Sequence, residues 1–192
     1  MTADETPGIV IRHASRRDLD LTEAIENEAD ELLTSLLQPE SWPPAPTGRE
    51  RGAQRGFTLM AIEVGTGTGT GTGTSTGTDR RIGFVHVLEV GDLAHLEQLS
   101  VLPDSTRRGV GRRLLEAAVT EAELRGHDRI TLRTFADVPW NAPFYATCGF
   151  VETEPDTEFH RGLVAVEQRL GLTGLGRRVH MTRTLPSPGT DG

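Results

Sequence analysis

Residues 96–119 read LEQLSVLPDSTRRGVGRRLLEAAV, which in order is a strand, a loop, a glycine pair and a helix. Val110, Leu114, Leu115, Ala118 and Ala122 recur at helical spacing and predict an amphipathic helix from about Gly109 to Leu124. Gly109 and Gly111 let the chain turn tightly and leave the first-turn amides uncovered, at the end where a helix carries partial positive charge. Such a place binds phosphate. Arg107, Arg108, Arg112 and Arg113 add four cations within seven residues, with no acid among them, which suits a pyrophosphate. The plainer reading is a capped surface helix with a solvated basic face. The chain has no lysine, hence no P-loop, and the glycines lack the third position of a dinucleotide fingerprint.

Outward from this segment, RIGFVHVLEV (81–90), a turn at Gly91-Asp92, and Leu93 to Leu102 read as two strands of a hairpin. FTLMAIEV (57–64) is another strand, joined to residues 82–90 through the fourteen-residue repeat GTGTGTGTGTSTGT (65–78), a flexible loop on its composition. That long hairpin is expected at one edge of a sheet. Upstream, IVIRHAS predicts a first strand, and Leu21, Ile25, Ala29, Leu32, Leu33 and Leu36 predict one amphipathic helix, stopped by the proline-rich PESWPPAPTG loop. Downstream come strand RITLRTF, a short helical NAPFYATCG, strand FVET, helix-like GLVAVEQRL and strand VHMTRTL. Helices interrupting a strand-rich series give an α/β or α+β domain around a mixed sheet. One domain over 1–192 is expected, with frayed tails at 1–6 and 186–192.

Residues 139–150, PWNAPFYATCGF, give the glycine pair its context. The block Thr106-Arg107-Arg108-Gly109-Val110-Gly111 resembles the acetyl-CoA signature of the GNAT superfamily of N-acetyltransferases, Q/R-x-x-G-x-G/A, departing from it at Thr106. Asn141, Phe144, Tyr145, Gly149 and Phe150 stand for that superfamily's N-x-x-A/P-x-x-F-Y-x-x-x-G-F region, which they resemble, and the order and separation of the two blocks also agree. The resemblance implies a mostly antiparallel sheet of about seven strands flanked by helices, with splayed fourth and fifth strands, and acetyl-CoA as cosubstrate. It also implies that the pantetheine arm of coenzyme A bonds to the fourth strand as an added strand would, around Leu99, Ser100 and Val101. The sequence agrees: Leu93, His95, Glu97, Leu99 and Val101 share one parity yet mix polar and apolar side chains, and a bulge would separate them.

Acetyl transfer to an amine needs two proton movements. An aliphatic ammonium of pKa ~10.4 is only about one part in a thousand neutral at pH 7, so a base is useful. Glu97 is the first choice, with His95 as alternative or partner; the plainer reading of Glu97 is a structural carboxylate. Tyr145, the chain's one tyrosine, is the expected acid for the departing thiolate, set against ordinary core packing. Phe144 is expected in the core, and Asn141 either on the cofactor arm or capping the short helix. Cys148 reads as a packed residue, and Trp140 as either a wall of the site or a buried tryptophan. The histidines are not paired with cysteines or spaced carboxylates, so no metal is expected.

With 28 acidic against 20 basic residues, net charge is −8, which disfavours nucleic acid as a partner. One cysteine, no signal-like start and no long apolar run predict a cytoplasmic protein without membrane contact. The acceptor pocket is expected from residues 21–56 and 157–178. There Glu23, Glu26, Glu28, Asp30, Glu31 and Glu158 either attract a cationic small molecule or form an ordinary solvated face. A small-molecule N-acetyltransferase is the leading reading, a protein or peptide N-acetyltransferase the second, and a non-catalytic acetyl-CoA-binding domain the third. A homodimer stands as one option for assembly.

Overall fold

The computed structural model describes residues 8–65 and 79–186. The repeat from residue 66 on and the tails 1–7 and 187–192 lie outside the described residues, so the flexible-loop and frayed-end expectations fall there. Seven strands are described: β1 (Gly8–His13), β2 (Gly56–Val64), β3 (Arg80–Val90), β4 (Leu93–Val101), β5 (Arg129–Phe135), β6 (Val151–Thr153) and β7 (Arg178–Thr184). The helices are α1 (Arg16–Leu19), α2 (Thr22–Leu37), α3 (Gly48–Ala53), α4 (Val110–Leu124), α5 (Ala142–Ala146) and α6 (Glu158–Arg169). The sheet runs β1-β2-β3-β4-β5-β7-β6. All neighbours are antiparallel except β4 and β5, which are parallel.

The hydrophobic pattern explains the layering. Val110, Leu114, Leu115, Ala118 and Ala122 of α4 are all buried and join Leu59, Ala61, Val85, Val87, Ala94 and Leu96 in the main core. On the opposite face, Ile25 of α2 joins Met60, Ile62, Phe84 and Leu102 in a smaller cluster. Alternation along β2 and β3 thus feeds two cores.

Three expectations change. The β2–β3 hairpin is not at the sheet edge, because β1 pairs along β2 from Gly8–Val64 to His13–Leu59. The stripe on α2 is not a core stripe: Leu21, Leu32 and Leu36 are exposed, and only Ile25 of the six is buried. Two further short helices flank it, both started by capping boxes, Ser15 with Asp18 for α1 and Thr47 with Glu50 for α3. Buried Asp18 also accepts from Arg12 at 2.7 Å and Arg81 at 2.9 Å, tying α1 to β1 and β3. Gly48 lets α3 lie directly against α1, since a Cβ there would collide with the Leu19 carbonyl.

Two irregularities build the site. Opposite β3, Val87 faces Leu96 and His86 faces Gln98, so Glu97 is the extra residue of a β-bulge. The bulge turns Leu99 and Val101 onto the α4 face with Ala94 and Leu96, and leaves His95 and Glu97 on the other. The β4–β5 ladder holds only Ala94–Ile130, His95–Thr131 and Leu96–Leu132. Beyond Leu96 the β4 edge facing β5 is open.

Candidate active site

A cleft of about 1050 Å³ occupies this opening and passes from the α4 N-terminus through the split to α2 and the region around α6. Its lining includes Leu99, Ser100 and Val101 on the open β4 edge, then Thr106, Arg107, Gly109, Val110, Gly111 and Arg112 around the glycine bend. Asn141, Phe144 and Tyr145 line it from α5. The sequence-predicted residues that it gathers therefore come from three separate elements.

At the bend, Gly109 is the N-cap of α4 with φ 77°, and no side chain caps the helix. Arg113 N–H already bonds the Gly109 carbonyl at 3.0 Å, so the uncommitted first-turn amides are those before it. Arg107 adopts φ 60°, uncommon for a side-chain-bearing residue, so two left-handed residues within three bend the backbone around this point. Such a concave run of amides, with Arg107 and Arg112 beside it, suits a diphosphate. A Cβ on Gly111 would meet only Val101 and Phe144 side chains at 3.8 and 3.9 Å, so this glycine is not required by packing. The unpaired β4 edge beyond it suits an amide-bearing arm. Coenzyme A fits both features.

The four arginines do not act together. Arg108 bonds Glu63 at 2.5 Å and Arg113 bonds the Ile9 carbonyl at 2.7 Å, and neither lines the cleft. Arg112 lies 5.9 Å over the Phe144 ring and donates to Thr147 Oγ1 at 2.7 Å. Phe144, expected in the core, is half-buried, packing against the main core on one side and walling the cleft on the other. Asn141 makes no side-chain cap, which leaves its amide to the cleft. Trp140 is 47% exposed and forms wall rather than core. Ser100 is buried and accepts from Gln98 at 2.9 Å. Cys148 is packed in the main core.

Half-buried Glu97 reaches the cleft beside the buried Arg51–Glu26 pair. Arg51 of α3 donates to Glu97 Oε2 at 3.1 Å and to Glu26 Oε2 of α2 at 2.5 Å. Its guanidinium sits 4.8 Å over the Phe84 ring, and its side chain is fully buried. Burial raises both carboxyls while Arg51 opposes it; the balance leaves Glu97 above its ordinary range and Glu26 pushed up to about 7. Both carboxylates line the cleft, with Asp30, whose carboxyl burial also raises against a 2.8 Å bond from Trp42. Glu23, Glu28, Glu31 and Glu158 do not line it.

His95 is not brought to the site. It is buried among Thr131, Phe159 and His160, bonds Thr131 Oγ1 at 2.8 Å, and does not line the cleft. Burial and the neighbouring His160 hold its pKa down to about 3. Sequence parity placed His95 and Glu97 on one face correctly, but they lean apart, His95 toward α6 and Glu97 toward α2 and α3. Tyr145 packs edge-on against Phe144 and Phe150, 5.2 and 5.8 Å between centroids, on the α4 side of the split. Burial raises its phenol, which stays protonated at neutral pH.

Sequence reasoning missed Arg51, Trp42, Arg133 and Arg178 as lining or supporting residues. The Thr47-x-x-Glu50 capping box after the proline run was the available signal for α3. Among the described residues, no group of three or more His, Cys, Asp or Glu is arranged to hold a metal. No helix among them is long and apolar enough to cross a membrane.

The chain is similar in structure to the ribosomal-protein-S18-alanine N-acetyltransferase of Escherichia coli, at 21% identity and TM-score 0.62 over 96% of this chain and 99% of that one. A GNAT-family acetyltransferase of Staphylococcus aureus superposes with TM-score 0.64 at 14% identity, covering 93% and 99%. The PaiA N-acetyltransferase of Thermoplasma acidophilum, solved with coenzyme A, gives 0.60 at 19% identity over 92% and 99%. At such identities these likenesses establish the fold. The acetyltransferase (GNAT) family model matches residues 26–150, well over half of the chain and all of the cleft's central part, and the chain belongs to that family.

Proposed function

We propose that this chain, acting as one domain, transfers acetyl from acetyl-CoA to the primary amine of a small molecule, by direct attack within a ternary complex. The observation that carries the reading is the single cleft joining an uncapped, arginine-flanked helix N-terminus to a split parallel strand pair with Glu97 and Tyr145 on opposite sides of it. Thr106, Arg107, the Gly109–Gly111 bend and Arg112 hold the diphosphate; backbone groups of Leu99 to Val101 and the Asn141 amide hold the arm. Acetyl-CoA supplies an activated thioester. A backbone amide on the open β4 edge polarises its carbonyl.

Glu97 accepts a proton from the acceptor's ammonium, and the freed nitrogen attacks the thioester carbonyl. The C–N bond forms, the C–S bond breaks, and Tyr145 protonates the departing sulfur from the α5 side. The second nitrogen proton passes through water to restore Tyr145, and Glu97 gives the first to solvent, so each turnover releases one proton with free thiol and amide. A carboxyl raised toward neutrality by burial is matched to this task. No covalent enzyme intermediate is needed, and Cys148 lies in the core.

The test is an amine-library screen that follows free thiol release from acetyl-CoA. Turnover with small amines supports the reading. Turnover with peptide N-termini alone establishes the peptide enzyme instead, and binding without turnover establishes the non-catalytic domain.

A further inference from the structure

The two walls of the acceptor end carry opposite charge. On the β4 side, Glu26, Arg51 and Glu97 are two carboxylates around one guanidinium. On the other, Arg133 of β5 donates through Nε and Nη2 to Glu167 Oε2 of α6 at 2.9 and 2.7 Å, and Arg178 of β7 donates to Glu167 Oε1 at 2.6 Å. Two guanidiniums thus share one carboxylate, and both arginines line the cleft. Glu167 is fully charged: burial opposes that, but the bonds from both arginines outweigh it and hold its carboxyl below the usual range. The surplus cation is costly where it stands, since the Arg133 and Arg178 side chains are only 8% and 12% exposed. Arg178 Nε is buried with no acceptor among the described residues. Its guanidinium is also fixed in place, 4.4 Å over the Phe135 ring.

These charges stand at the fork of the split. The last paired position of β4 and β5 is Leu96–Leu132, so Glu97 and Arg133 are the first residues past it on the two strands. A simple diamine or aminoglycoside would satisfy the acidic wall and bring its other cations against Arg133 and Arg178. A peptide N-terminus offers an amine without a nearby carboxylate. A molecule with both groups close together neutralises both walls. We propose that the acceptor is an amino-acid-like zwitterion, its carboxylate bound by Arg133 and Arg178 and its amine facing Glu97 and Glu26. This rests on the acetyltransferase reading above and narrows its substrate class. Glu167 is then a positioning residue that aligns the two arginines.

The experiment compares matched acceptors with the wild-type chain: a set of amino acids, their carboxamides and the corresponding decarboxylated amines, with acetyl-CoA and thiol detection. The expected result is a kcat/KM at least ~10-fold higher for carboxylates than for carboxamides, carried mostly by KM. Arg178→Gln is expected to collapse that ratio toward one, with calorimetric binding of coenzyme A reporting whether the variant is folded. Should Arg178→Gln not fold, the wild-type ratio decides alone. Turnover that favours carboxamides, diamines or peptide N-termini overturns the zwitterion while leaving the acetyltransferase standing. Absence of turnover with every amine overturns both.

Discussion

Replacing Glu97 by glutamine separates its chemical role from its structural one, because the glutamine carbonyl still accepts from Arg51 and fills the same volume. If Glu97 is the base, kcat/KM falls by roughly 10² to 10⁴, the usual worth of a positioned base. The same change acts on Glu26, whose carboxyl stands at about 7 through burial and the charges of Glu97 and Asp30, opposed by Arg51. Two carboxylates that flank one guanidinium repel by a few kcal/mol at most at an effective dielectric near 20. Neutralising one therefore lowers the other by roughly one to two pH units. The assay is steady-state thiol release from pH 5 to 9. In the wild type, the carboxylate pair gives an acidic limb near neutrality, with activity lost as pH falls and the pair is protonated. In Glu97→Gln the residual rate keeps a limb displaced to lower pH. A variant with wild-type rate and an unmoved limb would falsify both the base and the coupling; a wild-type rate with a displaced limb transfers the base role to Glu26.

Tyr145→Phe is expected to lower kcat by roughly 10²-fold or more with the affinity for coenzyme A unchanged, measured by turnover beside calorimetry. Gly48→Ala forces α3 off α1 at the Leu19 carbonyl, withdraws Arg51 from its carboxylates, and lowers both Tm and activity. The loss in stability is about 3 kcal/mol or more, since buried charges lose their partner. Acid stability follows from the histidines: burial holds His86 and His180 down to about 4 and His95 to about 3, against 6.5 unfolded. The unfolded chain then binds more protons below pH 6.5, so this contribution is complete above 6.5 and is lost as pH falls toward 4. His86 alone is worth up to ~3 kcal/mol over that window. Glu26 works the other way, favouring the fold below its unfolded value of 4.5 and losing that contribution as pH rises to about 7. Thermal melts across pH 4 to 8 check both signs, and His86→Asn is expected to flatten the acid limb.

Local pattern made much of the molecule readable. The α4 stripe, the glycine bend and the mixed parity of residues 93–101 are short-range features, and the helix, its uncovered N-terminus and the bulge at Glu97 all stand in the structure. Side-chain partners across the fold were not readable. Arg51 reaches Glu97 over 46 residues and Glu26 over 25, contacts that no window of sequence contains. Arg108 and Arg113 looked equivalent to Arg107 and Arg112 until Glu63 and the Ile9 carbonyl claimed them. Leu32 of α2 fits a helical period yet borders the cleft instead of filling the core, because a cleft wall and a core face are equally apolar in sequence.

The claim beneath all of this is that the bend at Gly109 and the opened β4–β5 pair receive one thioester carrier. Isothermal titration of the folded chain with acetyl-CoA, beside Arg107→Ala, tests it most directly. Saturable one-to-one binding, weakened about tenfold or more by the substitution, is the predicted result. A chain that melts cooperatively yet shows no binding, or binds equally well without Arg107, contradicts it.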